Sequence, residues 1–247
     1  MTAGGRVLVL GAVETHAGMG LVHCCRQVET LGMEAVPVTT AVVARDVDGR
    51  LWGLHVTPPR FVAGQMDAAV RYSRPDACIV SMLARHTTVA QVAERLKRRE
   101  IGKVVLAPVM GTQNGRTLLT ATGVKWTLGL LVPRSSLVIL SAANAEEMLD
   151  CRAGSREGAR RAAAELVARG AEAALVYGTF SDGWEAGALA GGNRQELAER
   201  AAGAVGDHAS WERLCAIAAS GLAAGEGAFN SGRLAIESVF QNGIENH

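Results

Sequence analysis

The sequence predicts an α/β protein built on a mostly parallel central sheet with helices packed against its faces. Short apolar, β-branched runs of strand length alternate with stretches in which apolar residues recur every three or four positions. Several runs are apolar throughout rather than alternating with polar residues, as strands covered on both sides are. No Pro/Gly/Ser-rich linker and no internal repeat interrupts the alternation, so residues 1–247 read as a single domain.

The first strand falls at 7–12. A helix is expected over 18–33, where Leu21, Cys24, Cys25, Val28 and Leu31 share one face and Gly32 supplies the C-cap. A strand follows over 34–44. Pro58 and Pro59 suit the first turn of a helix that carries Phe61, Val62, Met66, Ala69 and Val70. The alternation continues with strand 77–82, helix 87–99, strand 103–109, a helix near 118–131 and strand 137–141. Helix 155–169, strand 173–177 and helices 212–224 and 233–243 complete the chain. Residues 194–204 also have helical periodicity.

Composition excludes several functions. With 25 Lys+Arg against 24 Asp+Glu, the formal charge is +1, which gives no electrostatic reason to expect nucleic acid or an anionic membrane as partner. The longest apolar runs fall far short of the roughly 18 residues of a membrane span. The amino terminus leads into the first strand without a cleavage region, so a cytoplasmic protein is expected. Five cysteines with no Cys-x-x-Cys pair argue against a disulfide framework or zinc site. The Cys24-Cys25 pair lies mid-helix among apolar neighbours, where packing is the expected role.

In such folds, ligands gather beyond the carboxyl ends of the strands. The loop after the first strand, from Gly11 to Gly20, has neither Gly-x-Gly-x-x-Gly nor the Gly-Lys-Ser/Thr of a phosphate loop. It reads equally as a binding loop for a small polar ligand or as a tight turn. The loop 111–117 is similar, and its Arg116 could meet a phosphate. His16 and His208 fall in loops, His23 on the buried side of a helix and His55 beside the Pro-Pro turn, and no metal-ligand spacing joins them. Neither Ser141 nor Ser210 sits in a Gly-x-Ser-x-Gly elbow.

One stretch is more specific: His55-Val56-Thr57-Pro58-Pro59-Arg60-Phe61-Val62-Ala63-Gly64-Gln65-Met66-Asp67-Ala68. With Thr39-Thr40-Ala41-Val42-Val43-Ala44, Val80-Ser81-Met82-Leu83-Ala84 and Val105-Leu106-Ala107-Pro108-Val109-Met110, it resembles the hydroxymethylpyrimidine and phosphomethylpyrimidine kinases of thiamine biosynthesis, in their order and spacing. The resemblance extends to about Gly178 and weakens beyond it. It implies a ribokinase-like three-layer α/β/α sandwich, ATP with Mg²⁺ as cofactors, and phosphate transfer to a hydroxymethyl or phosphomethyl pyrimidine. It also implies a homodimer, and a β-hairpin turning at Gly191-Gly192-Asn193 where periodicity suggests a helix.

Carried over residue by residue, the resemblance places substrate contacts at Gly11, Val13, Gly18, Gly20, Val43, Arg45, Met82 and Val109. Nucleotide contacts fall at Ser141, Tyr177 and Gly178, and a carboxylate acting through water on the metal falls at Glu146. Several positions depart from the pattern. Val13 replaces an Asp, Arg45 a pyrimidine-reading Gln, Ala107 an Asp and Gln113 a Lys; Ser141-Ala142-Ala143 stands for Thr-Pro-Asn, and Tyr177-Gly178-Thr179 for Lys-Gly-Gly. The glycine-rich anion hole corresponds to residues 206–213, where Trp211 lies in or beside a glycine position. One register puts Glu212 at the base position and another puts Trp211 there, so Glu212 and Asp207 are the expected bases. Two functions remain: a divergent kinase for a pyrimidine or related hydroxymethyl substrate, or an inactive pyrimidine-binding or regulatory protein on the kinase fold.

Overall fold

A computed structural model describes residues 4–15, 18–46, 48, 50–98, 101–111, 117–180, 184–201 and 211–241. The elements run β1 (Arg6–Glu14), α1 (Gly20–Thr30), β2 (Glu34–Arg45), β3 (Leu51–Val56), α2 (Pro59–Ser73), β4 (Ala77–Val80), α3 (His86–Arg98) and β5 (Val104–Leu106). They continue with α4 (Ala121–Trp126), β6 (Leu137–Ser141), α5 (Ala142–Leu149), α6 (Arg156–Ala168), β7 (Ala173–Thr179), β8 (Trp184–Gly191), β9 (Arg194–Ala201), α7 (Trp211–Ala223) and α8 (Ala228–Gln241). A π turn over Thr127–Leu131 and a 3-10 turn over Val132–Arg134 extend α4.

All nine strands form one sheet in the order β3-β2-β1-β4-β5-β6-β7-β8-β9. The pairings from β2 to β7 are parallel; β3, β8 and β9 are added antiparallel at the edges. Strand periodicity divides the core into two layers. Val7, Val9, Ile79, Val105, Ile139 and Leu175 pack against α1, α7 and α8. Leu8, Leu10, Cys78, Val80, Leu106 and Leu140 face α2, α3 and α6. The three-layer α/β/α architecture expected from the sequence is therefore present.

Local chemistry sets most boundaries. Gly32 takes φ +75° just after α1, as a C-terminal glycine does, and the side chains of Ser141 and Ser155 cap α5 and α6. Two expectations change. Strand β3, unmarked by the apolar pattern, pairs along β2; as an edge strand it is mostly exposed, with Trp52 84 % exposed. Residues 194–201 form a strand rather than the helix their periodicity suggests. The Gly191–Arg194 pair closes the β8–β9 hairpin over Gly192-Asn193, and Gly192 has the positive φ (+57°) such a turn needs. Sheet pairing here overrides the helix propensity of Gln195, Glu196, Leu197 and Ala198.

Two glycine-lined contacts fix α8 on this hairpin. A Cβ on Gly187 would lie 2.6 Å from the Ile236 side chain, and one on Gly191 would lie 2.9 Å from Phe229.

Candidate active site

The carboxyl ends of β1 and β4 open toward the starts of α1 and α7, and a small cavity lies between them. Its volume is about 20 Å³, room for about one water. Gly11 and Gly20 line it, with Ser81, Cys24, Trp211, Glu212 and Cys215. Gly20 begins α1 at φ +74°, and a Cβ there would sit 2.7 Å from the Ala12 carbonyl, so only glycine lets the chain turn this tightly against β1. The helix has no side-chain cap of its own. Its first N–H, from Gly20, instead donates to Oε1 of Glu212 at 2.8 Å.

Glu212 stands in the first turn of α7, and burial raises its carboxyl above the usual range. The Gly20 N–H and the nearby His23 oppose that rise, while Glu14 adds to it. Trp211 stacks on Tyr177 of β7, with ring centroids 5.7 Å apart and planes 28° apart. Burial raises the Tyr177 phenol strongly, and the Trp211 indole Nε1 is buried without a hydrogen-bond partner among the described residues. Sequence positions expected to serve the anion hole and the nucleotide thus meet face to face.

The expected substrate positions divide into an apolar and an ionic group. Val43 and Met82 are buried in one cluster with Ala12, Ala41, Ala84 and Leu118, against which Val109 packs. A bulge at Thr40 shifts the β1–β2 register here, and the buried Thr40 hydroxyl donates to the Met82 carbonyl. Gln65 bonds both the N–H and the carbonyl of Thr39, at 3.0 Å each, bracing the strand before the bulge. Ala84 holds φ +62° on the loop after β4, a conformation L-residues rarely take.

Arg45, expected to read substrate, is ion-paired with Glu14: Nε donates to Oε2 at 2.5 Å, both side chains are 8 % exposed, and the Arg45 N–H donates to Thr15 Oγ1. Glu14 carries the second carboxylate beside Gly20, and the sequence pattern did not single it out. Val13, half-buried at the end of β1, packs against the other core layer, the one that holds Leu21 and Cys24, and Gly18 is exposed in the following loop.

Ser141 and Tyr177 pair across β6 and β7, with Gly178 next to Ala142, so the three expected nucleotide positions are contiguous. The Ser141 hydroxyl accepts the Asn144 N–H as an N-cap. Glu146 lies one turn further along α5, where its Oε1 accepts the N–H groups of Ala153 and Gly154, both at 2.8 Å. No described residue hydrogen-bonds to its Oε2, which is the atom that could reach a metal through water. Among the described residues no three His, Cys, Asp or Glu side chains converge as a metal centre. A single carboxylate working with nucleotide phosphates is a normal arrangement for Mg²⁺.

Asp207, His208, Ser210, His16, Gln113 and Arg116 lie outside the described residues. His23 is half-buried rather than on the buried side of α1. Burial pushes the Cys25 thiol up to about 11 and Cys24 well above its ordinary value, which suits packing rather than redox chemistry.

Comparison with known proteins gives this arrangement a family. The family described as Phosphomethylpyrimidine kinase matches residues 15–242. The hydroxymethylpyrimidine/phosphomethylpyrimidine kinase of Escherichia coli K12 is 31 % identical over 176 residues, 71 % of this chain and 66 % of that protein; its Bacillus subtilis counterpart is 27 % identical over 176 residues, 70 % and 64 %. The matched stretch therefore spans about two thirds of the length of these relatives.

In fold, the chain superposes on the phosphomethylpyrimidine kinase of Clostridium difficile 630 with a TM-score of 0.81 at 19 % identity, covering 96 % of this chain and 98 % of the other. It superposes on the Staphylococcus aureus pyridoxal kinase in complex with ADP at 0.85 and 18 %, covering 96 % and 86 %. A chain that this family matches over residues 15–242, on a sheet that superposes on those of these kinases, is thus ribokinase-like in fold and belongs to the phosphomethylpyrimidine kinase family.

Proposed function

We propose that the protein is a small-molecule phosphotransferase that moves phosphate from ATP to a hydroxymethyl or phosphomethyl pyrimidine, with Glu212 as the base. The observation that carries this reading is the half-buried Glu212 carboxylate, oriented by the Gly20 N–H at a cavity the size of one hydroxyl, in a chain of this family. When bound, the nucleotide supplies the transferable phosphoryl group and its Mg²⁺ the charge neutralisation such transfer needs.

The chain's own residues supply the rest. Glu212 accepts the proton that the substrate hydroxyl loses, and burial raises its affinity for that proton above an ordinary carboxylate's. Val43, Met82 and Val109 give the pyrimidine an apolar bed. Gly11, Val13, Gly18 and Gly20 shape the mouth of that bed. Arg45 stands at its rim and reads an anionic group by partial release from Glu14. Ser141, Tyr177 and Gly178 would floor the nucleotide, and Glu146 Oε2 would hold its metal through water. Asp207 is the second candidate for the base. The same reading includes a cytoplasmic homodimer whose 247 residues work as one domain.

Purified protein mixed with Mg·ATP and hydroxymethylpyrimidine is expected to yield ADP and the phosphorylated pyrimidine, and Glu212→Gln is expected to lower kcat about 10²–10⁴-fold. Tight pyrimidine binding without ADP release across related hydroxymethyl substrates would overturn it.

A further inference from the structure

Trp211 brings to the cavity a donor that no described residue uses. Its indole Nε1, which can give a hydrogen bond but not take one, is buried without a partner among the described residues. Buried N–H groups are nearly always partnered, so an orphan in a residue that lines a cavity marks a place where a ligand supplies the acceptor. The ring is held where it stands. It stacks on Tyr177 of β7, with centroids 5.7 Å and planes 28° apart, and both rings pack against the core layer that holds Leu175, Leu214 and Cys215.

Trp211 and Glu212 are consecutive residues at the start of α7, and both line the cavity. Successive side chains on a helix diverge by about 100°, so the two reach it from different directions. The Gly20 N–H holds Glu212 Oε1 at 2.8 Å, and a carboxylate has room for further donors. The other polar side chains on the cavity wall are Ser81 and the thiols of Cys24 and Cys215, which burial keeps un-ionised. The wall thus offers one N–H in need of an acceptor beside a carboxylate that takes a proton. A hydroxyl answers both, since its oxygen accepts the N–H while its proton turns to the carboxylate. An ammonium group cannot accept the N–H, and a methyl group does neither. At about 20 Å³ the cavity has room for one such group.

We propose that Trp211 recognises the acceptor hydroxyl of the substrate through a hydrogen bond from indole Nε1 to the hydroxyl oxygen. This role rests on the kinase reading of the same site and adds the group that selects an alcohol there. With one lone pair on the indole N–H and its proton turned to Glu212, the hydroxyl keeps its second lone pair for the bond to phosphorus. The ring that stands in or beside a glycine position of the sequence pattern then has a use of its own.

The test pairs two ligands with two proteins. Hydroxymethylpyrimidine and the methylpyrimidine that lacks only its hydroxyl oxygen are titrated calorimetrically into the full chain and into Trp211→Phe, which keeps a ring on Tyr177 but has no N–H. The wild type is expected to prefer the hydroxymethyl ligand, and Trp211→Phe to lose about fivefold in affinity for it while binding the methyl ligand as before. A second measurement needs no Trp211 variant to fold: the indole N–H signals of wild type labelled at its tryptophan nitrogens. Trp52→Phe, Trp126→Phe and Trp184→Phe assign the other three of the four tryptophans and leave the Trp211 signal. That proton is expected to move downfield with the hydroxymethyl ligand and not with the methyl one.

Equal losses for both ligands, or a Trp211 signal that answers both alike, make the ring a packing group and overturn the proposal, whether or not the wild type releases ADP. Discrimination through Trp211 in a protein that transfers no phosphate from Mg·ATP upholds the hydrogen bond and overturns the kinase reading instead. A wild type that binds neither pyrimidine overturns both.

Discussion

At the scale of single residues, Glu212, the proposed base, ties the candidate site to stability. Its carboxyl binds protons more tightly folded than unfolded, so folding takes up protons between the two values and stability falls as pH rises through that window. Thermal melts are expected to show the wild type losing stability relative to Glu212→Gln from pH about 4.5 upward; a constant difference between pH 4 and 8 would contradict this. Gly20→Ala is expected to cost about 1–3 kcal/mol, because a Cβ cannot fit 2.7 Å from the Ala12 carbonyl at a positive φ. Urea titration reads that loss, and phosphotransfer should fall with it because the N–H that orients Glu212 shifts. Little of this was legible in the sequence. Gly20 and Glu212 stand 192 positions apart, so no local pattern could pair them. Glu14 resembles any solvated acid until β1 and β2 bring it onto Arg45.

At the scale of elements, the joint between β1, β2 and β4 shapes the apolar cluster proposed as the substrate bed. Thr40→Val removes a buried donor and leaves the Met82 carbonyl unsatisfied, with an expected loss of about 1–3 kcal/mol measurable by denaturant unfolding. If Met82 packs on substrate, the KM for the pyrimidine should rise in the same variant. The two edge hairpins show where sequence reading stops. In β3, Gly53 and His55 interrupt the apolar pattern, since one side of an edge strand needs no core. In β9, Gln195, Glu196, Leu197 and Ala198 favour a helix in isolation, and β8 decides otherwise through eight paired positions. Central strands, buried on both sides, were legible because burial itself writes their apolar runs.

At the scale of the whole molecule, the candidate site draws on opposite ends of the chain: the loop after β1 from the first twenty residues and the proposed base from the start of α7. A ligand bridging them favours the folded state by mass action. Mg·ATP at about 100 times its Kd should add about 2.7 kcal/mol, a rise in Tm of roughly 5–10 °C for a chain of this size. Trp211, stacked on Tyr177 between these regions, should report the same binding as a change in fluorescence. The Glu14–Arg45 pair joins β1 to β2 at the mouth of the site with both partners nearly sealed from water. Losing either side chain alone strands a buried charge, at a cost of about 3–5 kcal/mol, whereas replacing both with apolar residues of similar volume can be neutral. Natural variation at positions 14 and 45 must therefore move in step, and a lineage that enters this pairing has no inexpensive single mutation by which to leave it.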